Sequence, residues 1–381
     1  MSEPLRVLII EDSALDAKVL AGMLQAGGYS VESERVETAP EFTNALESRE
    51  WDIILADYNL PEFNGPEGLR LLQESGRDIP FIVISGGIGE DLAVQIMKSG
   101  AHDYLMKGNL ARLVPAVERE VREARDRTHH REAEAALHAA NEQMRVAHEI
   151  QQGLFPKTAP RLKGYDLAGL SESAEETGGD YYDFIPMAGG CVGLVVGDVT
   201  GHGIGPALLM AETRAYLRIL AAENSDVGEI LTRANRVLNE DIDPERFVTL
   251  LFVMLDPKAG VIRYASAGHP PGLWLNAKGK PKGELKRTGI PLGLRADTEY
   301  SVSKDLPLAS GDLLALMTDG VEESLSADNE LFGKERILKF LAAQQAERAK
   351  KIVTRLHDAG RAHEAEDHQP DDFTTIVLRV K

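Results

Sequence analysis

The sequence has 381 residues, enough for two or three domains, and its 43% hydrophobic content supports buried cores. A formal net charge of −19 disfavours a nucleic-acid partner, because phosphate backbones are bound by basic surfaces. The single cysteine, Cys191, excludes a disulfide framework and fits a reducing cytoplasm. We expect no membrane span, since no run of about 18 apolar residues occurs, and the first residues do not resemble a signal peptide.

The first 122 residues alternate short apolar runs with helical patterns. The apolar runs cover residues 5–10, 51–57, 79–85 and 103–107. This alternation predicts an α/β domain with a doubly wound parallel sheet. Sites in such sheets lie at the carboxyl ends of the strands. The side chains that collect at this edge are Glu11, Asp12, Asp57, Ser85 and Lys107.

This edge has the composition of a phosphoryl-accepting site. Its acids favour a divalent cation, and one carboxylate can then attack a phosphoryl group. A hydroxyl and a lysine can hold the new phosphoryl oxygens. Together with the sequence DYNLPEFNG that contains Asp57, the pattern resembles response-regulator receiver domains, which have a flavodoxin-like fold. A flavodoxin-like domain with incidental acids is the alternative.

The resemblance implies a role for each of these residues. Asp57 is the implied phosphoacceptor, and a histidine kinase is the implied phosphoryl source. The implied Mg²⁺ site consists of Asp12, Asp57 and the Asn59 carbonyl, supported by Glu11.

The remaining receiver residues would sense the phosphoryl group. Ser85 and Lys107 would contact it, and Tyr104 would be the switch aromatic. Gly108 stands where the family usually has proline, which bears on the loop and not on the role of Lys107.

Residues 114–154 carry heptad repeats and contain no glycine before Gly153. The repeats predict a coiled coil, and a shift of phase predicts a discontinuity near 127–131. We expect a signalling helix over residues 123–154 that pairs two copies into a homodimer through 114–154. A spacer helix packed in its own monomer is the alternative. The repeating positions are Val114/Val121, Val117/Ala124, Leu137/Met144/Gln151 and Ala140/Ala147/Leu154.

A predicted hairpin follows, made of apolar runs at 181–186 and 191–199 with a glycine-rich turn between them. Asp180 precedes the first run and Asp198 closes the second, so an antiparallel hairpin brings both to one end of the sheet. Carboxylates held close together repel unless a cation lies between them. Mg²⁺ and Mn²⁺ prefer such oxygen ligands. Two strand-end aspartates without a metal are the alternative.

The rest of the chain supplies further strand-end acids. We expect strands at 165–173, 248–255, 261–266 and 272–275, and amphipathic helices at 205–222 and 227–241. Asp319 ends a later apolar strand, and the acidic pair Asp371 and Asp372 opens the last one.

The ordered motifs GGDYYD, GDVTGHG, TDG and DDFT resemble the PPM (PP2C-type) serine/threonine protein phosphatases. The resemblance is to the bacterial branch that includes RsbU and SpoIIE, and it covers roughly residues 150–381. It implies an α+β domain over residues 155–381, with two antiparallel sheets flanked by helices.

The resemblance also implies a centre with two Mn²⁺ or Mg²⁺ ions. One metal would be held by Asp180, Asp198 and the Val199 carbonyl. The other would be held by Asp198, Asp319 and Asp371, with Asp372 as the alternative to Asp371. The implied catalytic residues are Asp180, Asp198, Asp319 and Asp371. His202 and His269 match family positions, and we expect them to be structural or at the substrate edge.

The implied reaction is hydrolysis of a protein phosphoserine or phosphothreonine by water activated at the metals, without a covalent enzyme intermediate. The resemblance suggests a phosphorylated anti-anti-sigma (STAS-type) protein as substrate. A non-catalytic adaptor or scaffold that sequesters a sigma factor or its regulator is the main alternative. A phosphatase for small phosphorylated molecules is a weaker one. Acidic residues at all four metal positions favour the enzyme over the adaptor.

Overall fold

The computed structural model describes residues 3–87, 90–174, 177–243, 245–365 and 371–381. The chain divides into two compact units, Met1–Ala139 and Ala140–Lys381. Within these described ranges, no helix combines the length and apolar character needed to cross a membrane.

The first unit is built on a parallel sheet, as predicted. In its described residues, five strands pair in the order β2-β1-β3-β4-β5. Strands β3 and β4 are buried along their whole length, as expected for central strands of a doubly wound sheet. The strands are β1 (Glu3–Ile10), β2 (Tyr29–Val36), β3 (Ile53–Asp57), β4 (Phe81–Ser85) and β5 (Asp103–Met106).

Helices cover both faces of this sheet and enclose a separate apolar core on each side. Ser13, Thr38 and Asn64 cap three of the helices by accepting a hydrogen bond from a first-turn amide. Gly108 lies in a 3₁₀ turn, Lys107–Arg112, that follows β5. The helices are α1 (Ala14–Ala26), α2 (Ala39–Ser48), α3 (Gly65–Ser75) and α4 (Glu90–Lys98).

A 40-residue helix, α5 (Leu113–Gln152), contains the end of the first unit and the start of the second. Val117 and Val121 are buried in the core of the first unit. Arg127 and Arg131 form ion pairs with Asp78, at 3.1 and 2.5 Å. The homodimer contact was predicted to begin at residue 114. That start is wrong, because the first turns of α5 are buried in the core of the first unit. The discontinuity in the heptads, predicted near 127–131, lies where α5 forms its ion pairs with Asp78.

The second unit contains two antiparallel sheets. Its described strands pair in the orders β13-β10-β9-β8-β7 and β12-β11-β14-β15-β6. The strands are β6 (Tyr165–Glu172), β7 (Tyr181–Pro186), β8 (Val192–Val199), β9 (Val248–Asp256), β10 (Val261–Ala267), β11 (Gly272–Leu275), β12 (Pro281–Leu285), β13 (Leu306–Pro307), β14 (Leu313–Met317) and β15 (Phe373–Val380).

The two sheets pack face to face over a core of large apolar side chains. A second core lies between the β7–β10 face and two helices, α6 (Ile204–Glu223) and α7 (Val227–Asp241). A third core lies between the other sheet and the last helices. This helix–sheet–sheet–helix layering confirms the predicted α+β architecture. The remaining helices are α8 (Gly320–Glu323), α9 (Gly333–Ala343) and α10 (Ala349–Arg361).

Candidate active site

The receiver edge gathers the predicted acids around Lys107. Its Nζ lies 2.7 Å from Asp57 Oδ2, and 3.1 Å from both Glu11 Oε2 and Asp16 Oδ2. Burial would lower the pKa of Lys107, but hydrogen bonds to Asp57, Asp16 and Glu11 outweigh it and raise that pKa. Asp16 was not among the predicted residues. It lies in the first turn of α1, and no motif in the sequence marks it.

Two hydroxyls at this edge are buried without partners in the described part of the chain: Ser85 Oγ and Tyr104 Oη. An unpaired buried hydroxyl is costly, so Ser85 fits a ligand oxygen that completes its hydrogen bonding. Asp12 is exposed, and Asn59 donates its backbone N–H to Asp57 Oδ1 at 3.1 Å. This oxygen-rich set fits Mg²⁺.

In the second unit, the hairpin register places Asp180 and Asp198 at the same sheet end. Tyr181 pairs with Gly197 across β7 and β8, which leaves the two aspartates next in register. Asp180 is almost fully buried, and its Oδ2 accepts a 2.8 Å hydrogen bond from Thr318. Burial, then the nearby Asp198 and Asp372 carboxylates, raise the pKa of Asp180 well above its usual value.

Asp319 and Asp371 reach the same place from the other sheet. Asp319 follows β14, and Asp371 precedes β15, the neighbour of β14. Burial and then Asp319, Asp371 and Asp372 raise the pKa of Asp198 to about 7. Burial and then Asp371 raise the pKa of Asp319. The four strand-end acids therefore share one electrostatic environment.

Asp371 and its neighbour Asp372 differ in what they touch. Asp372 Oδ1 accepts from the Ala174 amide at 2.8 Å, and Oδ2 accepts from the Asp180 amide at 3.4 Å. A Cβ on Gly178 would lie 2.0 Å from Asp372 Oδ2, so a larger residue there would displace that carboxylate from its hydrogen bonds. Both residues line the cleft. Among the described residues, the Asp371 carboxylate accepts a backbone hydrogen bond only from the neighbouring Asp372 amide, and Asp371 is the more exposed of the two.

The donor set fits hard divalent cations. The grouped carboxylates repel one another, as the raised pKa of Asp198 shows, and a cation would offset that repulsion. A Cβ on Gly179 would lie 2.3 Å from the Val199 carbonyl oxygen and 3.2 Å from Asp198 Oδ1, so glycine keeps both oxygens accessible. In the described ranges, no three His, Cys, Asp or Glu side chains form a preformed metal cage.

A cavity of about 420 Å³ borders part of this acid cluster. Its walls include Asp198, Asp371 and Asp372, the predicted edge residue His202, and two leucines, Leu325 and Leu331. His269 does not line it. That side chain is fully buried, with hydrogen bonds to Thr249 Oγ1 and the Met317 carbonyl.

Sequence reasoning missed three residues whose side chains contact a candidate ligand or a residue close to one. Thr318 contacts Asp180, and Thr249 contacts His269. Gln151 is buried, and its side-chain amide bonds to the backbone of Gly178. The TDG motif could have marked Thr318, whereas the heptad pattern assigned Gln151 to a dimer seam.

Comparison with known families separates the same two parts of the chain. The model of the family described as Stage II sporulation protein E (SpoIIE) matches residues 188–381, and that of the response regulator receiver domain matches residues 7–118.

Individual proteins with similar sequences or structures are phosphatases or contain a PP2C domain in two of the following three cases. The phosphoserine phosphatase RsbU of Bacillus subtilis is 29% identical over 63% of this chain and 70% of RsbU. Protein IcfG of Synechocystis is 27% identical over 60% of this chain, which spans only 40% of IcfG. The solved SiaA-PP2C domain of Pseudomonas aeruginosa aligns at a TM-score of 0.58 with 22% identity, over 65% of this chain and 99% of that domain. At that identity the structural match shows a shared fold.

Proposed function

The chain belongs to the SpoIIE family, and from that premise we propose that it hydrolyses phosphoserine or phosphothreonine on a protein under control of Asp57 phosphorylation. It is a PPM-type protein phosphatase joined to a response-regulator receiver domain. One observation supports the proposal: Asp180, Asp198, Asp319 and Asp371 lie at strand ends of the two sheets within one electrostatic cluster, and Asp198 and Asp371 line the cleft beside it.

Phosphatases of this family are metal-dependent. In our proposal Asp180, Asp198 and the Val199 carbonyl hold one divalent cation, and Asp198, Asp319 and Asp371 hold the other. When bound, such cations supply a nucleophilic water at neutral pH and offset the phosphate charge. Mn²⁺ and Mg²⁺ both suit these oxygen donors.

The protein's own residues orient the ligands and shape the approach to them. Thr318 donates to Asp180 Oδ2 and thereby fixes the orientation of that carboxylate. Asp372 connects Ala174 and Asp180 to the start of β15 by accepting hydrogen bonds from their backbone amides. His202 and the two leucines, Leu325 and Leu331, form the walls along which a substrate segment enters.

The receiver provides the control in this proposal. Asp57 accepts the phosphoryl group from a histidine kinase, with Mg²⁺ held by Asp12, Asp57 and the Asn59 carbonyl. The buried Ser85 hydroxyl has no partner among the described residues and suits a phosphoryl oxygen, and Lys107 already contacts Asp57.

The substrate we propose is a phosphorylated anti-anti-sigma (STAS-type) protein. Support comes from the similarity to RsbU, a phosphoserine phosphatase. The proposed compartment is the cytoplasm, which suits the free thiol of Cys191. A homodimer is proposed through the exposed part of α5, which begins after Arg131.

The test is turnover of a phosphoserine protein and of para-nitrophenyl phosphate by the purified chain with Mn²⁺. Asp198→Asn should lower the rate by at least about a hundredfold, because it removes the ligand that both proposed metals share. Asp226→Asn is the matched control, since Asp226 only caps α7. Wild-type turnover by Asp198→Asn would refute the metal assignment. Binding of a partner without Mn²⁺-dependent turnover by the wild-type chain would favour the adaptor.

A further inference from the structure

His269 connects the two sheets at the end where the candidate ligands lie. Its ring lies 2.9 Å from Thr249 Oγ1 through Nδ1 and 3.1 Å from the Met317 carbonyl through Nε2. Thr249 is on β9 of one sheet, and Met317 ends β14 of the other. The ring is fully buried, so these contacts are shielded from water.

The two contacts fix the protonation of the ring. A carbonyl oxygen only accepts, so Nε2 carries the proton and donates to Met317. Nδ1 then accepts the hydrogen bond from the Thr249 hydroxyl. Burial lowers the pKa of His269 to about 3, so the ring stays neutral at physiological pH.

Both contacts of His269 are close in sequence or register to a candidate metal ligand. Thr249 is directly opposite Asp198 in the β8–β9 ladder. Met317 is two residues before Asp319. Asp198 lies near the end of β8, in the same sheet as Thr249, and Asp319 follows β14 of the other sheet. The His269 ring therefore forms a hydrogen-bonded link between the two sheets beside both candidate ligands.

We infer that His269 is a positioning residue that holds the Asp198 and Asp319 carboxylates at the separation a divalent cation needs, by bridging Thr249 and Met317 across the two sheets. The inference rests on the proposed metal site and adds to it a residue outside the ligand set. A second contact supports it: Arg287 Nε donates to the His269 carbonyl at 3.3 Å and anchors the backbone of this link.

The experiment measures binding of Mn²⁺ alone to the full chain after chelator treatment, by electron paramagnetic resonance of the free ion. Binding to the receiver is measured in Asp198→Asn and subtracted. Thr249→Val removes the hydroxyl with little change of shape, and Thr249→Ser keeps it. His269→Gln keeps a donor and an acceptor, and His269→Leu keeps neither.

Thr249→Val and His269→Leu should weaken Mn²⁺ binding at the phosphatase site by about tenfold or more. Thr249→Ser should bind like wild type, and His269→Gln should lie between. The control is Asp312→Asn at the opposite end of β14. Asp312 is buried and accepts from Trp274 and Lys282, so its loss should lower stability and leave Mn²⁺ affinity unchanged.

The outcomes separate this inference from the proposed function. Wild-type affinity in Thr249→Val and in a folded His269 variant would overturn the positioning role while the metal site stands. Absence of Mn²⁺ binding to the wild-type phosphatase site would overturn both. If His269→Leu does not fold, the Thr249→Val and Thr249→Ser pair decides the question alone.

Discussion

The side-chain amide of Gln151 forms hydrogen bonds with both the backbone carbonyl and the backbone amide of Gly178. Its Nε2 donates to the Gly178 carbonyl at 2.6 Å, and its Oε1 accepts from the Gly178 amide at 3.3 Å. Gly178 packs against the Asp372 carboxylate and lies two residues before Asp180. The last turn of α5 therefore contacts the loop that leads into the candidate metal site.

This contact predicts where a receiver signal enters the phosphatase. We expect Gln151→Leu to bring the ratio of turnover with and without beryllofluoride close to one. The buried Gly178 amide and carbonyl would lose their partner, at about 1–3 kcal/mol for each unpaired group. That cost is comparable to a typical allosteric coupling of about 1–3 kcal/mol. Gln152→Leu, one exposed residue further, is the control and should respond like wild type. A normal response in Gln151→Leu would show that the signal takes another route.

The acid cluster predicts a pH-dependent stability of the metal-free protein. The folded pKa of Asp198, about 7, is higher than its unfolded value of 3.8. Its stabilising protonation is complete below the unfolded pKa and is lost as pH rises through the folded one. The free energy of unfolding should therefore fall between about pH 4 and pH 7, by at most about 4 kcal/mol at 1.36 kcal/mol per pKa unit.

Urea unfolding in chelator can measure this slope. Of the two tryptophans, Trp51 is in the receiver, so a Trp51→Phe background leaves Trp274 to report on the phosphatase unit. Asp198→Asn should flatten the slope and stabilise the metal-free unit at pH 8. An unchanged slope in Asp198→Asn would show that other groups cause it.

The adjacent acids at 371 and 372 should give different phenotypes. Asp371→Asn should weaken Mn²⁺ binding by about tenfold or more, because Asp371 is exposed at the cleft and acts electrostatically on both Asp198 and Asp319. Asp372→Asn should mainly lower thermal stability, since it disturbs the hydrogen bonds to the Ala174 and Asp180 amides. Mn²⁺ titration and thermal unfolding of both variants distinguish the roles. The reverse pattern would assign the ligand to Asp372.

The receiver assignment predicts a single labelled residue. Asp57→Asn should abolish labelling by acetyl phosphate and leave Mn²⁺-dependent turnover measurable. Lys107→Ala should slow labelling, because Lys107 would no longer contact the phosphoryl oxygens. Mass spectrometry after borohydride trapping measures both. Asp52→Asn is the control, since Asp52 pairs with Arg6 at the opposite end of β3. Label at wild-type level in Asp57→Asn would refute the assignment.

The sequence predicted the helices and strands whose apolar side chains follow the pattern of a buried face. Strand β7 and helix α7 begin and end at the predicted residues, because apolar side chains and clear turn or cap residues bound them. Strand β2 was missed. Its sequence, YSVESERV, is largely polar since it lies at the edge of the sheet and only Val36 is fully buried.

The ligand-holding contacts depend on long-range packing that periodicity does not reveal. His269 meets Met317 across two sheets, and Gln151 meets a loop 27 residues away. The heptad analysis identified the long helix but misassigned its faces. Gln151 and Leu154, expected in a dimer seam, contact their own unit instead.

Because Gln151 and Leu154 contact their own unit, a dimer contact on α5 must use other side chains of the helix. Val146 and Ile150 are 44% and 65% exposed, and they lie one turn apart on α5. We expect two copies to pair through this stripe, because exposed apolar side chains at such spacing are buried in coiled coils. Ile150→Glu should place charge in the seam, convert the dimer to a monomer in sedimentation, and remove the response to beryllofluoride.

The matched control is Asn141→Glu, an equal change of charge at an exposed position. Residue 141 lies nine residues before Ile150, about two and a half helical turns, and therefore on the opposite side of α5. It should leave both association and response intact. If wild type, Ile150→Glu and Asn141→Glu all sediment as monomers, the dimer does not form, and the signal must reach Gln151 within a single chain. If Ile150→Glu is a dimer that still responds, pairing uses another surface, and the stripe on α5 does not carry the signal.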